Sequence, residues 1–231
     1  ASLHKGKGRL AEPMHIFNEI KKMFNYNLIL ENKKILITAG PTQENIDSVR
    51  FISNRSSGKM GYALASAAKH YGAKVTLISG PVSLEKISGV EHIDIISAQN
   101  MNDQIQLLLN KNNFDMIFMA AAVADYSPVE ASQNKIKSKE KKLHLSLNKN
   151  IDILKNIQNH QSIKIGFALE TENGEANAKG KMESKELDYI ILNYANEENA
   201  GFDSDTNHLY LFSKKGLKKE LKLDTKKRLS M

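Results

Sequence analysis

The stretch Ile35–Tyr71, ILITAGPTQENIDSVRFISNRSSGKMGYALASAAKHY, decides the fold. Ile35, Leu36 and Ile37 form a short apolar run of the kind that a sheet buries on both faces. After Met60 the apolar residues fall at Ala63, Leu64, Ala67, Ala68 and Tyr71, the spacing of one helix face. Between strand and helix runs a polar loop of roughly 20 residues, and loops of that length are uncommon in a compact domain unless they bind something. It carries Gly40, Pro41, Thr42, Asn45, Arg50, Asn54, Arg55, Ser56, Ser57, Gly58 and Lys59. Donors crowded ahead of a helix start suit an anion, because free N–H groups and the positive end of the helix dipole converge there. A nucleoside triphosphate is the expected ligand. The loop is neither G-x-G-x-x-G nor a P-loop; Ser57-Gly58-Lys59 copies only part of the latter.

Outward from this stretch the pattern alternates. KVTLISG (Lys74–Gly80) is a second apolar strand, entered through Gly72, which suits a helix C-terminus. Asp94–Ser97 is expected as a short third strand and MIFMAAAV (Met116–Val123) as a fourth, with Met101, Ile105, Leu108 and Leu109 marking a helix between them. IKIGFALE (Ile163–Glu170) and DYIILN (Asp188–Asn193) are further strands, flanking a helix over Gly174–Leu187. Apolar strands alternating with helical patterns predict an α/β fold: a doubly wound, Rossmann-like, mainly parallel sheet with helices on both faces. HLYLF (His208–Phe212), a Lys-Lys-Gly turn and ELKL (Glu220–Leu223) add a C-terminal antiparallel hairpin. Leu143–Leu147 reads as another exposed strand, and the last residues as the first turn of a helix. Near the start, Met14, Phe17, Ile20 and Phe24 would line a short helix after Pro13, followed by a linker over 25–32.

Composition narrows the function classes. With 231 residues, 41% hydrophobic and 26% charged, the chain can bury a core and has ordinary globular usage. No apolar run approaches the length of a membrane span, and ASLHKGKGRLAEP lacks the apolar stretch of a secretory leader, so no membrane partner is expected. Zero cysteines remove disulfides, thiolate metal sites and cysteine catalysis, and suit the cytoplasm. The net charge of +7 invites anions. Nucleic acid is not expected, because 6% aromatic residues and no Trp leave little to stack bases on. The seven histidines show no metal-ligand spacing.

In open α/β sheets ligands bind beyond the carboxyl ends of the strands. Two more strand ends are rich in candidate groups. AAAVADYSP (Ala120–Pro128) offers small residues that let a flat base approach, and Asp125 for a metal or a polar ligand group. Lys135 and Lys137 follow, either of which could meet a phosphate as a point charge. GFALET (Gly166–Thr171) offers a glycine for close backbone approach and Phe167 to flank a base.

Taken jointly, ITAGPTQENIDSVRFISNRSSGKMG, AAAVADYSP with KIK, GFALET and KGKMESKELDYIILN resemble the phosphopantothenoylcysteine synthetase domain of the bacterial bifunctional coenzyme A biosynthesis flavoprotein. The likeness spans residues 31–231. GKGRLAEP resembles the end of the preceding flavin-dependent decarboxylase domain, so residues 1–30 are expected to be its remnant plus a linker, with no FMN on this chain.

The resemblance implies a CTP-dependent ligase. The carboxylate of 4′-phosphopantothenate attacks the α-phosphate of CTP, giving an acyl-cytidylate and pyrophosphate; the amine of L-cysteine then displaces CMP. It implies that Asn54 holds the acyl-cytidylate, that Arg50 serves turnover, and that Lys135 is the active-site lysine. Gly40, Ser56, Ser57, Gly58 and Lys59 correspond to the phosphate-facing loop. Ala121, Ala122 and Asp125 correspond to the nucleotide segment, with Mg²⁺ assigned to Asp125. Phe167, Lys181 and Lys185 would surround the nucleotide, and Asn193 carries over as well. A strap between Tyr126 and Leu147 implies a homodimer. Ser48 departs from a usual proline, Gln43 from a frequent arginine, and Ser138 from a lysine.

Two other classes compete. A nicotinamide-dependent oxidoreductase would share the fold, but the chain has no G-x-G-x-x-G and no convincing Tyr-x-x-x-Lys pair. A basic nucleic-acid module rests on charge alone.

Overall fold

A computed structural model describes residues 12–16, 28–137, 142–197 and 204–231. Phe17, Ile20, Phe24, residues 25–27 of the expected linker and Ser138 lie outside them, so the expected N-terminal helix face is not described beyond helical residues 13–16.

Six parallel strands make the centre of an eight-stranded sheet: β1 (Lys34–Ala39), β4 (Lys74–Ser79), β5 (Glu91–Asp94), β6 (Met116–Met119), β9 (Ile163–Glu170) and β10 (Tyr189–Tyr194). Their order is β5-β4-β1-β6-β9-β10. Winding starts at β1, runs to one edge, returns, and runs to the other, so the direction reverses between β1 and β6. That reversal is the place where a doubly wound sheet opens for ligands. Strands β11 (Thr206–Ser213) and β12 (Lys218–Thr225) extend the β10 edge antiparallel, as the sequence pattern predicts.

Alternate residues of each strand feed opposite layers. Ile35, Ile37, Val75 and Leu77 pack on Tyr62, Leu64, Ala65 and Ala68 of α1 (Lys59–His70). Leu36, Ile78 and Ile117 pack on Met101 and Ile105 of α2 (Ala98–Lys111) and on Ile153 of α3 (Ile153–Asn156). Further along that second face, Ala168, Ile190 and Leu192 bury Ala178 and Met182 of α4 (Gly174–Ser184). No helix links β4 to β5; Val82, Leu84, Ile87 and Val90 cover that part of the α1 layer instead. The C-terminal α5 (Lys226–Leu229), capped by Thr225, packs on the α1 side, and its Leu229 joins the Ile165–Leu209 cluster. No helix among the described residues is long and apolar enough to cross a membrane.

Four boundaries differ from the sequence pattern, each for a local reason. The strand expected over Met116–Val123 leaves the ladder after Met119, apart from one bridge between Ala122 and Pro41, because two fully buried threonines take one donor near its end and one just beyond it. Ala121 N–H donates to Thr38 Oγ1 at 3.1 Å and Ala124 N–H to Thr42 Oγ1 at 2.9 Å. The third strand lies at Glu91–Asp94 rather than Asp94–Ser97, since Ser97 caps α2, its hydroxyl accepting from Asn100 N–H. The α4 helix stops at Ser184, short of Leu187: Glu186 turns left-handed at φ 50°, and Leu187 N–H closes onto Met182 O. The strand expected at Leu143–Leu147 is β8 (Leu147–Lys149), paired with β7 (Tyr126–Pro128).

The fifth difference bears on function. The long loop after β1 is not structureless. It holds a hairpin of β2 (Gln43–Asn45) and β3 (Phe51–Ser53), fixed by two buried carboxylates. Glu44 Oε1 accepts Ala98 N–H at 2.9 Å, seating the hairpin on the start of α2. Asp47 shapes its tip, accepting from Val49 and Arg50 N–H at 2.8 Å each.

Candidate nucleotide site at the carboxyl ends of the strands

A cavity of about 440 Å³ opens at the carboxyl end of the sheet. Its floor is Met119–Ala124, where β6 ends; one wall is Ser56–Gly61, where α1 begins; the others are Phe167 and Leu169 of β9, Asn193 of β10, and the Lys149–Leu154 turn. Five lysines border it (Lys59, Lys149, Lys181, Lys185 and Lys226) against two aspartates, Asp125 and Asp152. Such a surplus of cations suits a polyanion.

The glycines make the approach possible. Gly58 is the N-cap of α1 at φ 77°, with no side chain capping the helix. A Cβ there would lie 2.7 Å from Val82 Cγ1 and 3.3 Å from Gly40 Cα. Gly40, at φ 71°, ends β1 and lets the loop turn away. The helix start, with no side chain capping it, therefore borders the cavity, the arrangement that anions use.

Three of the cations are tethered rather than loose. Lys181 Nζ donates to Phe167 O at 2.8 Å, and burial pushes its pKa down, opposed by the nearby Glu170 and Asp125 carboxylates. Lys185 pairs with Asp152, which also caps α3. Burial raises the Asp152 carboxyl, but the Lys185 ammonium and the Lys155 N–H outweigh it and hold it below the ordinary range. Lys59 reaches Asp205 at 2.7 Å, and that contact depresses the Asp205 carboxyl.

The Lys181 shift has a measurable sign. Folding favours the neutral amine, so between the lowered value and 10.5 the unfolded chain binds more protons, and stability rises with pH across that window. A Lys181→Met variant should lose this rise. Thermal midpoints of both proteins across the alkaline range test it, and parallel curves would refute it.

Ser56, Ser57, Gly58, Lys59, Ala121, Ala122, Asp125, Phe167, Lys181, Lys185 and Asn193 all border the cavity. Among those that do not are Gly40, Arg50, Asn54 and Lys135. Gly40 and Asn54 sit just behind the floor. Ala122 N–H donates to Gly40 O at 2.9 Å, and Asn54 Nδ2 donates to the carbonyls of Ala122 and Val123, both at 3.1 Å. Two accepting carbonyls identify that end of the Asn54 amide as the nitrogen. Arg50 and Lys135 lie on the hairpin side. The Arg50 guanidinium holds Asp47 Oδ2 at 2.5 and 3.0 Å and Ile136 O at 2.9 Å.

Lys149, Asn150, Asn207 and Lys226 also border the cavity, though no sequence motif marks them. Asn150 Nδ2 ties the turn to Ala124 O at 2.8 Å. Lys226, 5% exposed, donates to Ser204 O at 2.7 Å. One signal was available: Asn207 is a polar residue on the inward alternation of β11, where Leu209 follows.

Comparison with known proteins then identifies the lineage. The family model of the DNA/pantothenate metabolism flavoprotein C-terminal domain matches residues 30–231. The chain belongs to that family. Coenzyme A biosynthesis bifunctional protein CoaBC of Bacillus subtilis (strain 168) is 42% identical over 226 residues, covering 96% of this chain and 55% of that protein. CoaBC of Haemophilus influenzae (strain ATCC 51907 / DSM 11121 / KW20 / Rd) is 44% identical over 220 residues, covering 93% and 54%. The chain thus spans about half the length of these curated relatives. Among solved structures, the C-terminal domain of CoaBC superposes with a TM-score of 0.74 at 38% identity, over 88% of this chain and 92% of that one. A mutant of Cab2 in complex with phosphopantothenate-cysteine shares the fold at 16% identity, with a TM-score of 0.72 over 94% and 91% of the two chains. Membership of the flavoprotein C-terminal domain family agrees with the motifs at the three strand ends.

Proposed function

We propose that this chain is a CTP-dependent ligase that joins 4′-phosphopantothenate to L-cysteine, giving 4′-phosphopantothenoylcysteine, pyrophosphate and CMP in coenzyme A biosynthesis. The observation that carries the proposal is the cavity itself: an uncapped helix start and five lysines meeting at the switch point of a doubly wound sheet. The CoaBC relatives support the pathway, and the phosphopantothenate-cysteine bound to Cab2 supports the substrates.

Two anions must meet for the first step, and their repulsion is the main obstacle. The Ser56–Lys59 turn and the α1 N-terminus would take the phosphates, with Phe167 and the small Ala121–Ala122 floor flanking the base. The substrate carboxylate attacks the α-phosphorus, and the bond to the pyrophosphate oxygen breaks. The cysteine amine then attacks the acyl carbonyl, loses a proton and expels CMP. Fixed N–H groups and lysines aimed at the phosphoryl oxygens lower both barriers chiefly by positioning and charge.

Among the described residues no group of three or more His, Cys, Asp or Glu could hold a metal ion. Mg²⁺ does not need one, because it binds through one or two carboxylates plus substrate phosphates. Asp125, on the cavity wall, fits that role; the ion would neutralise phosphate charge.

A homodimer belongs to the same proposal. The β7–β8 arm carries Tyr126, Val129, Leu143, Leu145 and Leu147 exposed, apolar surface that a second copy would cover. Residues 1–30 are assigned to the end of a preceding decarboxylase domain; the relatives, nearly twice as long, support it. A cytoplasmic setting fits a substrate that must stay a free thiol.

The test is direct. With CTP, Mg²⁺, 4′-phosphopantothenate and cysteine, the chain should release pyrophosphate and CMP in equal amounts. Neither product, with an active control enzyme alongside, would refute the ligase.

A further inference from the structure

Inside a loop built to attract anions, a buried carboxylate needs a reason. Asp47 is that carboxylate: its side chain is 0% exposed, and five donors surround it. Oδ1 accepts the Val49 and Arg50 N–H groups, both at 2.8 Å. Oδ2 accepts Arg50 Nε at 3.0 Å, Arg50 Nη2 at 2.5 Å and Ile136 N–H at 3.0 Å. Arg50 Nη2 also reaches Ile136 O at 2.9 Å, so Asp47 and Arg50 grip both polar groups of one residue 89 positions away from Asp47. Ile136 stands between Lys135 and Lys137.

None of these residues borders the nucleotide cavity. Under the ligase assignment the cavity lysines would serve the nucleotide, yet two anions must come together. The cations left for the second are those of the hairpin and of the segment fastened to it.

We propose that Asp47 is a positioning residue for the second anionic substrate, fixing the Arg50 guanidinium and, through Ile136, the segment that carries Lys135 before that substrate arrives. This rests on the ligase assignment above. Preset cations cost no reorganisation when the substrate binds. A merely structural Asp47 would hold the hairpin but leave substrate selectivity alone.

The experiment uses the whole chain and Asp47→Asn. A carboxamide can satisfy one set of donors but opposes the other, so the grip opens while the volume stays the same. Hydrogen exchange should accelerate in the peptide containing Ile136. The KM for 4′-phosphopantothenate should rise about tenfold to a hundredfold, the range that small misplacements of binding groups produce. The KM for CTP should stay within about twofold. Asp47→Glu should recover part of the loss. Unchanged exchange, or both KM values rising together, overturns the proposal. An inactive wild-type chain sinks the ligase assignment and this inference with it. An active wild type with an unaltered Asp47→Asn variant sinks this inference alone.

Discussion

Gly80→Ala is expected to destabilise the fold by about 3–5 kcal/mol, the upper range for a single substitution. Gly80 follows β4, and its N–H donates to Ala39 O at 3.0 Å, so it is fixed to the end of β1. A Cβ there would sit 1.7 Å from Pro41 O and 2.7 Å from Pro41 C. Both atoms are backbone, so no side-chain rotation can relieve the clash. Pro41 must move, and it is not independent. It bridges Ala122, and the adjacent Thr42 donates N–H to Ala122 O at 3.2 Å while its hydroxyl serves Ala124. The strain therefore spreads across the joint between the two halves of the sheet. At roughly 2–4 °C per kcal/mol for a chain of this size, the thermal midpoint should fall by about 10 °C. A melting curve within about 2 °C of wild type would show that the loop yields more easily than its bonding implies.

The second large effect concerns chemistry. Asn54 gives both amide hydrogens to Ala122 O and Val123 O, so it fastens the end of the hairpin to the cavity floor. Asn54→Ala deletes two ordinary hydrogen bonds at an exposed site, about 1 kcal/mol each at most. Stability should change little. If the floor that Asn54 fastens carries the acyl-cytidylate, CMP release should slow by about tenfold to a hundredfold, the cost of misplacing a reacting group, while pyrophosphate still appears in a burst. Asn54→Asp should be worse than Asn54→Ala despite its matching shape, because a carboxylate would face two carbonyl oxygens. Quenched time courses of both products decide it. Equal slowing of the two steps would remove the intermediate-holding role, and Asp milder than Ala would contradict the observed donor geometry.

The layered sheet was legible because it rests on local signals: apolar runs such as Lys74–Gly80 and helical spacing after Met60. The strand-end residues were legible for a related reason, since each motif lies within one continuous stretch ending at the same rim. What stayed hidden depends on partners remote in sequence. The β2–β3 hairpin has three-residue strands, too short for a period-2 pattern, and its anchors act over 54 residues from Glu44 and 89 from Asp47. The early end of β6 required Thr38 and Thr42 to be facing it. Lys226 reaches the cavity only because the C-terminal hairpin folds back and places α5 beside α1. A run of lysines near the terminus could not announce which one would be buried.

The hairpin after β1 has one more consequence. In a doubly wound sheet the two mononucleotide halves share a single mouth, and an extended cofactor lies across it. Here the mouth is half plugged. Gln43 N–H bonds Ile96 O at 2.8 Å, Glu44 occupies the start of α2, and none of residues 80–97 borders the cavity. A guest the length of a dinucleotide, laid across both halves of the mouth, would have to displace the hairpin. The same plug that would bar an extended redox cofactor would leave, under the proposed ligase function, a shelf beside the nucleotide's phosphates where a second, differently shaped molecule could be brought up to react.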